Sequence, residues 1–293
     1  MIILNLISAG QAVIESCSPV AGFDPVIFHI WGPISLRWYS LGFLMGLIFG
    51  AMYFHRLIKN HQLWGAKGQV ARSPIAPSIT EDMLFYATLG VIIGGRLGYV
   101  ALYDPMMFAT PLSVLRTWDG GMSFHGGMLG VSLAVVFVAV RAKLPLLRLA
   151  DAVAPVAPIG IGLVRLANFI NGELYGRAWD GPLAMTFPCD PSGGTILRHP
   201  SPLYEAILEG LVLWVILRLA THWFRSLARP GLTAGIFLLG YGVFRTLVEN
   251  VREPDAELIF GLTRGMVYSA PMWMIGLGLI IWALRQPVAA PSK

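Results

Sequence analysis

The sequence has 293 residues, of which 56% are hydrophobic and only 13% are charged, with a formal net charge of +5. Soluble domains carry about 25% charged residues, so this composition excludes an ordinary water-soluble globular protein. The mean hydropathy is +0.67, and the apolar residues come in runs of about 20, the length that crosses a bilayer core. We expect helices, because backbone polar groups in lipid must be satisfied within their own segment.

The N-terminal segment is apolar from Met1 to Val13, but no Lys or Arg precedes Arg37. The charged region that opens a secretory signal is therefore missing. We expect residues 1–35 to be an uncleaved periplasmic tail or a segment lying on the membrane surface. Cys17 and Cys189 fit no metal-ligand spacing. They are expected to be two unrelated thiols, although the sequence also permits a disulfide between them.

Seven apolar segments predict an all-α membrane domain over residues 36–286, followed by a cytoplasmic tail of residues 287–293. The connector from Asn60 to Thr80 is polar and rich in Pro, and is expected to be mobile. Two glycine ladders at a spacing of four predict faces where helix backbones approach closely. The predicted transmembrane helices are 36–55, 82–103, 125–141, 150–171, 203–221, 232–250 and 267–285, and the ladders are Gly42, Gly46, Gly50 and Gly90, Gly94, Gly98.

The orientation of these helices follows from the Lys and Arg residues in alternate loops. The loops after the first, third and fifth helices, together with the C-terminus, hold twelve, and the other loops hold five. This asymmetry predicts a periplasmic N-terminus and a cytoplasmic C-terminus in a bacterial plasma (inner) membrane. No nucleic-acid partner is expected, because the positive charge is explained by topology.

Three arginines lie within the predicted spans: Arg96, Arg165 and Arg245. Arg37 lies at a span boundary, where it can reach the headgroups. A cation at the bilayer centre costs at least about 2.5 kcal/mol, so the deeper arginines need a reason. Counting residues from the helix ends places all three in the outer half of the membrane.

Other polar residues are predicted at the same level. Tyr39, His125, Glu205 and Glu209 lie near the outer ends of their spans. Helical periodicity also forms polar faces. These comprise Tyr241, Arg245, Glu249 and Arg252 on the sixth span, Arg165, Asn168 and Asn171 on the fourth, and Arg96, Tyr99 and Tyr103 on the second.

Two interpretations of these faces remain open. Buried ion pairs such as Arg245–Glu249 would hold the helices together, but such pairs rarely add net stability, so we favour a functional cavity. The planar guanidinium of Arg binds two oxygens at once, which suits phosphate. At headgroup depth, the expected anion is a phospholipid phosphate. His125, in the stretch GGMSFHGG, is a candidate base, because a histidine accepts a proton near neutral pH.

Six blocks of the sequence resemble the bacterial prolipoprotein diacylglyceryl transferases, in matching order. The signature of the fourth span departs from the usual Gly-Arg-Leu-Gly-Asn, because Val164 and Ala167 replace its glycines. The replacements put helix packing in doubt but remove no chemical group. The blocks are HIWGPISLRWYSLGF (29–43), GGRLGYV (94–100), WDGGMSFHGG (118–127), VRLANFINGELYGR (164–177), RHPSPLYEAILEG (198–210) and GYGVFRTLVENVREPD (240–255).

The resemblance implies a seven-helix enzyme with its active site towards the periplasmic leaflet. Its members transfer the diacylglyceryl group of phosphatidylglycerol to the lipobox cysteine of a prolipoprotein and release glycerol 1-phosphate. Their substrates are thus a membrane lipid and a signal peptide. The family's essential residues fall on Arg165, Arg245, His125 and Tyr39. Its further matching positions, which we assign to phosphatidylglycerol binding, are Asn168, Glu173, Gly176, Tyr241, Glu249 and Arg252.

The chemistry assigns roles to these residues. Arg165 and Arg245 are expected to stabilise the leaving phosphate, with additional attraction from Arg96 and Arg252. Glu249 is expected to orient Arg245. His125 is the candidate base for the thiol. No metal or organic cofactor is implied, since the polar residues include no set at ligand spacing.

Three other functions were weighed. A transporter or flippase would need polar groups along a path through both leaflets. A serine hydrolase using Ser123 and His125 would lack the usual nucleophile turn and an evident third partner. A purely structural subunit is the third.

Overall fold

The structure, a computed structural model, describes residues 24–31, 34–116, 121–188, 190–254 and 257–288. Most of residues 1–35, both cysteines and most of the C-terminal tail lie outside the described residues. In chain order, the strands are β1 (Val26–Trp31), β2 (Ile34–Arg37), β3 (Met185–Thr186) and β4 (Leu197–Arg198). The helices are α1 (Trp38–Lys59), α2 (Ile79–Leu89), α3 (Gly95–Leu102), α4 (Pro111–Leu115), α5 (Phe124–Arg141), α6 (Leu146–Val153), α7 (Ala157–Ile170), α8 (Ser201–Glu205), α9 (Leu213–His222), α10 (Leu232–Glu249) and α11 (Arg264–Arg285).

Two segments of π-helix join helices into longer helical stretches. Gly90–Gly94 connects α2 to α3, and Ala206–Val212 connects α8 to α9. Three short 3₁₀ turns lie at His61–Leu63, Pro105–Ala109 and Ser226–Ala228. π-Helical turns are rare and occur often at functional sites. The second one follows Glu205 directly, in the stretch that carries Glu209.

The segment before the first helix forms a hairpin. β1 pairs with β2 in antiparallel register, with Val26 opposite Arg37 and His29 opposite Ser35. The side chain of Asp24 accepts a hydrogen bond from the Val26 amide at 2.8 Å. Helix α1 therefore begins at Trp38, two residues after the predicted start. Arg37 is the exposed last residue of β2.

Within the described residues, four helical stretches are long and apolar enough to cross a membrane: Trp38–Lys59, Ile79–Leu102, Leu232–Glu249 and Arg264–Arg285. A fifth crossing is obtained if α6 and α7, which are bent by 43°, count as one span. The chain is thus a multi-pass helical membrane protein. The other two predicted spans correspond to α5 and to the helical residues 201–222. The apolar helix within α5, His125–Arg141, is shorter than each of these four stretches. Residues 201–222 carry two glutamates and one arginine in their apolar stretch.

The chain divides into two compact units. The first comprises residues 1–46, 158–214 and 238–275, and the second comprises residues 47–157, 215–237 and 276–293. In the first unit, a Cβ at Gly42 would lie 3.2 Å from the carbonyl oxygen of Leu163, and one at Gly46 would lie 3.0 Å from Cα of Gly160. Gly42 and Gly46, the two glycines of the α1 ladder that lie in this unit, therefore form a packing face for α7, as predicted.

The second glycine ladder packs against α5 within the second unit. A Cβ at Gly90 would overlap the carbonyl oxygen of Gly130, and a Cβ at Gly94 would overlap that of Gly126. Only hydrogen fits at these positions, because the two backbones are in direct contact. The prediction that this ladder is a packing face is confirmed.

The connector between the first two spans is packed, and the expectation that it is mobile was wrong. Leu63, Trp64 and Ile75 are each 2% exposed and belong to the hydrophobic core of the second unit. The indole Nε1–H of Trp64 donates to the carbonyl of Leu57 at 3.1 Å. Despite its polar and Pro-rich composition, the connector contributes five apolar residues to this core, the other two being Ala71 and Ile79.

Candidate functional site

Glu205 lies at the centre of a buried cluster of charges in the first unit. Its side chain is fully buried, and its Oε2 lies 3.1 Å from Nε of Arg165. Its Oε1 pairs with Nη1 of Arg245 and lies 3.1 Å from Nη1 of Arg252. One carboxylate thus contacts guanidinium groups from α7, from α10 and from the residues that follow α10. Since these side chains are at most 13% exposed, each contact is stronger than a surface ion pair.

Two further glutamates complete the cluster. Glu249, four residues after Arg245 on α10, pairs with Nη2 of that arginine. Glu209 is also fully buried, and its carboxylate oxygens lie 3.6 Å from Nη2 of Arg165 and 3.8 Å from Nη1 of Arg245. Among the described residues, neither oxygen of Glu209 has a hydrogen-bond partner. Glu209 therefore interacts with the arginines by charge, at distances too long for hydrogen bonds.

The charges of this cluster balance, with three arginines against three glutamates. The sequence analysis counted Arg96, Arg165 and Arg245 as the guanidinium groups of an anion site. The structure brings together Arg165, Arg245 and Arg252, each in contact with a carboxylate. An incoming anion would therefore meet arginines that are already positioned by carboxylates. The ion pairs of the first interpretation are observed, and the anion site of the second stays a prediction that involves the same residues.

Two tyrosines adjoin the arginines. Tyr241 is 6% exposed, lies one turn before Arg245 on α10 and interacts electrostatically with Arg165 and Arg245. Tyr39, the second residue of α1, interacts electrostatically with Arg165 and Glu173. Phenol groups donate hydrogen bonds without adding charge. They are suited to position a polar ligand beside the arginines.

The residues after α7 form a second polar group. Nδ2 of Asn168 donates to Oε2 of Glu173 at 2.9 Å, and Nδ2 of Asn171 donates to Oε1 of the same carboxylate at 3.1 Å. Asn168 is buried, whereas Glu173 is exposed. The carboxylate therefore fixes both amides at the C-terminal end of α7, and the predicted site residues Asn168 and Glu173 act as a pair.

Gly176 lies where three chain segments meet. Its amide donates to the carbonyl of His199 at 2.8 Å, and it forms a bridge with Arg252. A Cβ at this position would lie 2.7 Å from the carbonyl oxygens of both His199 and Val251. The backbone contact therefore requires glycine. These contacts hold the segment beside Arg252 in place, and they provide no support for the direct substrate contact predicted for Gly176.

Arg198 organises the loop between α7 and α8. Its Nε donates to Oδ2 of Asp190 at 2.5 Å, and its Nη1 reaches Oε2 of Glu253 at 3.3 Å. Its guanidinium lies over the ring of Tyr175, 4.8 Å from the centroid. Sequence reasoning counted this arginine as an ordinary loop cation, although the structure buries it to 9% exposure. Asp190, eight residues earlier in the same loop, was the sequence feature that could have indicated an ion-pair partner for Arg198.

Two side chains of this loop, the carboxylate of Asp190 and the imidazole of His199, have shifted pKa values. Burial raises the pKa of Asp190, but the Ser192 hydroxyl, the Gly194 amide and the Arg198 guanidinium outweigh it and hold the pKa below its ordinary value. Burial lowers the pKa of His199, whose ring stacks on Trp179 at a centroid distance of 4.1 Å. The loop is therefore built for an ionised aspartate and a neutral histidine.

Arg96 and His125 belong to the second unit. The guanidinium of Arg96 donates to four backbone carbonyls, those of Ser113, Val114, Arg116 and Gly121, at 2.6 to 3.1 Å. These contacts anchor the loop around α4. They give no support to the predicted contribution of Arg96 to phosphate binding, which stays a prediction.

His125 is exposed and lies in the first turn of α5. Ser123, the other residue of the alternative hydrolase pair, caps this helix. Its Oγ accepts a hydrogen bond from the Gly126 amide at 3.3 Å, and the residue is 4% exposed. A buried helix cap is a poor nucleophile, because its oxygen is occupied by the backbone. The serine-hydrolase alternative therefore loses support.

Among the described residues, no group of three or more His, Cys, Asp or Glu side chains is arranged to hold a metal ion. The acidic residues near the arginines are instead engaged in ion pairs.

Comparison with known proteins identifies the family. The family model for prolipoprotein diacylglyceryl transferases matches residues 25–282. The chain belongs to the prolipoprotein diacylglyceryl transferase family. The family resemblance and the transferase class that were predicted from the sequence are confirmed.

Three curated relatives show how closely the chain follows this family. It is 44% identical over 290 residues to a phosphatidylglycerol–prolipoprotein diacylglyceryl transferase of Phenylobacterium zucineum, covering 94% of this chain and 98% of the relative. A relative of the same name from Brucella anthropi is 46% identical over 275 residues, covering 92% and 94%. One from Bradyrhizobium diazoefficiens is 45% identical over 277 residues, covering 92% and 95%. All three are bacterial proteins.

Proposed function

We propose that this protein transfers the diacylglyceryl group of phosphatidylglycerol to the lipobox cysteine of a prolipoprotein, forming a thioether and releasing glycerol 1-phosphate. Family membership and the printed names of the relatives support this activity. The structural observation that carries the proposal is the buried cluster of Arg165, Arg245 and Arg252 around Glu205. Such a cluster is costly in a membrane and marks a functional site.

The leaving group determines the role of the arginines. A carbon–sulfur bond forms while the bond from the glyceryl carbon to the phosphate oxygen breaks, so negative charge accumulates on the phosphate. Arg165 and Arg245 are assigned to stabilise that charge. A guanidinium carries five N–H donors in a planar fork. A carboxylate that pairs with one side of the guanidinium therefore fixes the orientation of its plane. The guanidinium can still donate hydrogen bonds to phosphate oxygens.

The carboxylates are assigned to positioning. Glu205 holds Arg165 and Arg245 at one point, and Glu249 holds the second amino nitrogen of Arg245. Because Arg165, Glu205 and Glu249 are buried and the side chain of Arg245 is only 13% exposed, the arginines are aligned before the lipid arrives. Preorganised charges cost no reorganisation during the reaction.

The remaining site residues are assigned to binding and proton transfer. Tyr39, Asn168 and Tyr241 would hold the phosphodiester and headgroup by hydrogen bonds, with Glu173 fixing Asn168. His125 is the candidate base that takes the thiol proton, since the thiol has a pKa of about 8.5 in water. The proton then passes to solvent or to the released phosphate. Arg252 adds positive charge beside Glu205.

The proposed arrangement in the membrane has seven spans, with the N-terminus in the periplasm and the C-terminus in the cytoplasm of a bacterial inner membrane. Each of the seven predicted segments falls on a helical stretch of the described chain, which supports this count. The arginine–glutamate cluster would then lie towards the periplasmic leaflet. The single catalytic domain proposed for residues 36–286 would consist of both compact units. Lipid and signal peptide would enter sideways from the bilayer.

A transfer assay tests this proposal. The purified protein is supplied with phosphatidylglycerol and a lipobox peptide, and the peptide mass and the released glycerol 1-phosphate are measured. We expect both products in equal amounts, and loss of both in Arg245→Ala. Arg264→Ala, which removes an exposed arginine of the first unit, is the matched control. Near-normal turnover by a folded Arg245→Ala variant would refute the phosphate assignment, and absence of peptide modification by the wild type would refute the activity.

A further inference from the structure

A second concentration of positive charge lies at the C-terminal end of α9, within the second unit. A cavity of about 570 Å³ opens there. Its polar lining consists of Lys67, Arg218, His222 and Arg225. Among the described residues, none of those that line the cavity is acidic. The cavity therefore differs from the arginine–glutamate cluster, where each arginine contacts a carboxylate, and it attracts an anion more strongly.

The backbone segments that carry the basic groups are held in place by packing. Lys67 follows Trp64, whose burial and hydrogen bond to Leu57 fix the connector. The 3₁₀ turns of the connector and of residues 226–228 pack against each other. Arg218 lies 3.3 Å, from Nη1 to Nε2, from His222, one turn later on α9. The cavity is thus built from a fixed helix end and a fixed connector.

The backbone at the cavity's edge is also constrained. Arg225 has a φ of 57° and lies directly before the buried residues Ser226 and Leu227. A left-handed conformation is uncommon for residues other than glycine. It persists here because the following turn is buried, so the position of Arg225 relative to α9 is fixed by packing.

The other walls of the cavity are apolar. Val215 and Leu219 lie one turn apart on α9 and lead away from the basic end along the exposed side of the helix. Trp223, which also lines the cavity, is 69% exposed at the helix end. Tryptophan is enriched at membrane–water interfaces. A ligand that matches these walls has an anionic head and a hydrocarbon tail.

We propose that this cavity binds the headgroup of an anionic phospholipid in the cytoplasmic leaflet, separately from the lipid that is consumed in the reaction. The phosphate would contact Lys67, Arg218 and Arg225, while an acyl chain would lie against Val215 and Leu219. Basic pockets on the cytoplasmic side of membrane proteins bind such headgroups. A free phosphate ion would use only the basic end and would leave the apolar walls without a role. The cytoplasmic assignment rests on the proposed orientation, but the binding chemistry does not.

Native mass spectrometry of the full-length protein tests the proposal. The protein in detergent is titrated with phosphatidylserine, an anionic phospholipid that is not the diacylglyceryl donor, and in parallel with the zwitterionic phosphatidylcholine. We expect Arg218→Gln combined with Arg225→Gln to weaken retention of one phosphatidylserine molecule on the order of tenfold, since each surface cation contributes to anionic lipid binding. Arg141→Gln combined with Arg285→Gln, which removes two exposed cations of the same unit outside the cavity, should leave retention unchanged.

Each outcome decides the proposal. Equal loss in both double variants would show general charge attraction and would overturn it, as would equal retention of phosphatidylcholine by the wild type. Displacement of the lipid by an excess of inorganic phosphate would indicate an ion site instead. Thermal unfolding of each variant checks its folding, and the additional variant Leu219→Asn, which makes the apolar wall polar without adding a charge, should also weaken lipid retention. Transfer of the diacylglyceryl group is measured separately, so failure of the lipid site and failure of the transferase assignment are distinguishable.

Discussion

Oε2 of Glu205 lies 3.1 Å from Nε of Arg165, and the glutamate side chain is completely buried. The other oxygen of the same carboxylate contacts two more arginines, so Glu205 is the residue on which the cluster depends. Glu205 is therefore a positioning residue for Arg165 and Arg245, the arginines assigned to stabilise the leaving phosphate.

Replacing Glu205 by Gln should lower both stability and turnover. The change leaves three arginines without their shared charge, and breaking a buried ion pair typically costs about 3–5 kcal/mol. Glu253→Gln is the matched control, because that carboxylate pairs with Arg198 at 3.3 Å but is 47% exposed. Thermal unfolding and the transfer assay measure the two effects. Equal behaviour of the two variants would contradict the central role of Glu205.

Glu209→Gln should be much milder for stability than Glu205→Gln. Its carboxylate oxygens accept no hydrogen bonds from the described residues and lie 3.6 and 3.8 Å from the arginines. Removing the charge leaves the cluster more positive, so the product glycerol 1-phosphate should bind more tightly to this variant. The inhibition constant of glycerol 1-phosphate in the transfer assay measures this. Weaker inhibition than in the wild type would count against phosphate binding at the arginines.

Arg245→Lys should reduce turnover by about 10²-fold or more, the typical effect of removing one preorganised donor from a transition state. The guanidinium contacts Glu205 through Nη1 and Glu249 through Nη2, and a single ammonium group does not reproduce this fork. The rate constant at saturating lipid is the decisive measurement. A change in lipid affinity alone, with an unchanged rate constant, would place Arg245 in binding and not in leaving-group stabilisation.

Gly176→Ala should destabilise the loop beside Arg252 by about 1–3 kcal/mol, the usual cost of overpacking. The added methyl group would lie 2.7 Å from the carbonyl oxygens of His199 and Val251. Gly160→Ala is the control within the same unit, since nothing lies within 4 Å of its Cβ position and alanine favours a helix. Thermal unfolding should show a loss for the first variant and no loss for the second.

The stability of the loop around His199 should depend on pH. Burial lowers the pKa of His199 in the folded protein, so the unfolded chain binds the proton more readily. The contribution of His199 is therefore complete above the unfolded pKa, about 6.5, and is lost as pH falls below that value. The difference in stability between wild type and His199→Phe, measured from pH 8 to pH 5, should shrink towards acid. A difference that is constant over this range would show that His199 does not titrate with unfolding.

Much of the helical arrangement was predictable from hydropathy. Runs of apolar residues placed the seven helical stretches, and glycine spacing identified the faces that pack. The bend between α6 and α7 had a local signal that hydropathy alone misses, since Pro155 and Pro158 lie at it and proline interrupts helical hydrogen bonding. The π-helical turns after Leu89 and Glu205 were not predictable, because an apolar pattern does not distinguish an α-helical turn from a π-helical one.

Some contacts within the charged cluster could be predicted from the sequence, and others could not. Periodicity placed Arg245 and Glu249 on one face, and the structure pairs them. Glu205 and Glu209 were predicted at the same depth but were not assigned as partners of the arginines. Their signal was present, because two carboxylates in an apolar helix require cations from elsewhere. The assignment of Arg96 to the anion site stays a prediction, since depth along a helix says nothing about which neighbour a side chain faces.

The shared carboxylate also bears on how the protein is made. Arg165 precedes Glu205 by 40 residues, and Arg245 follows it by the same number. At synthesis rates of about 5–20 residues per second, Arg165 leaves the ribosome roughly 2–8 s before its partner. During that interval the helix carrying it holds an uncompensated cation. Stable insertion of this helix is therefore expected to wait for the helix that carries Glu205, so that the helices enter the lipid as a set.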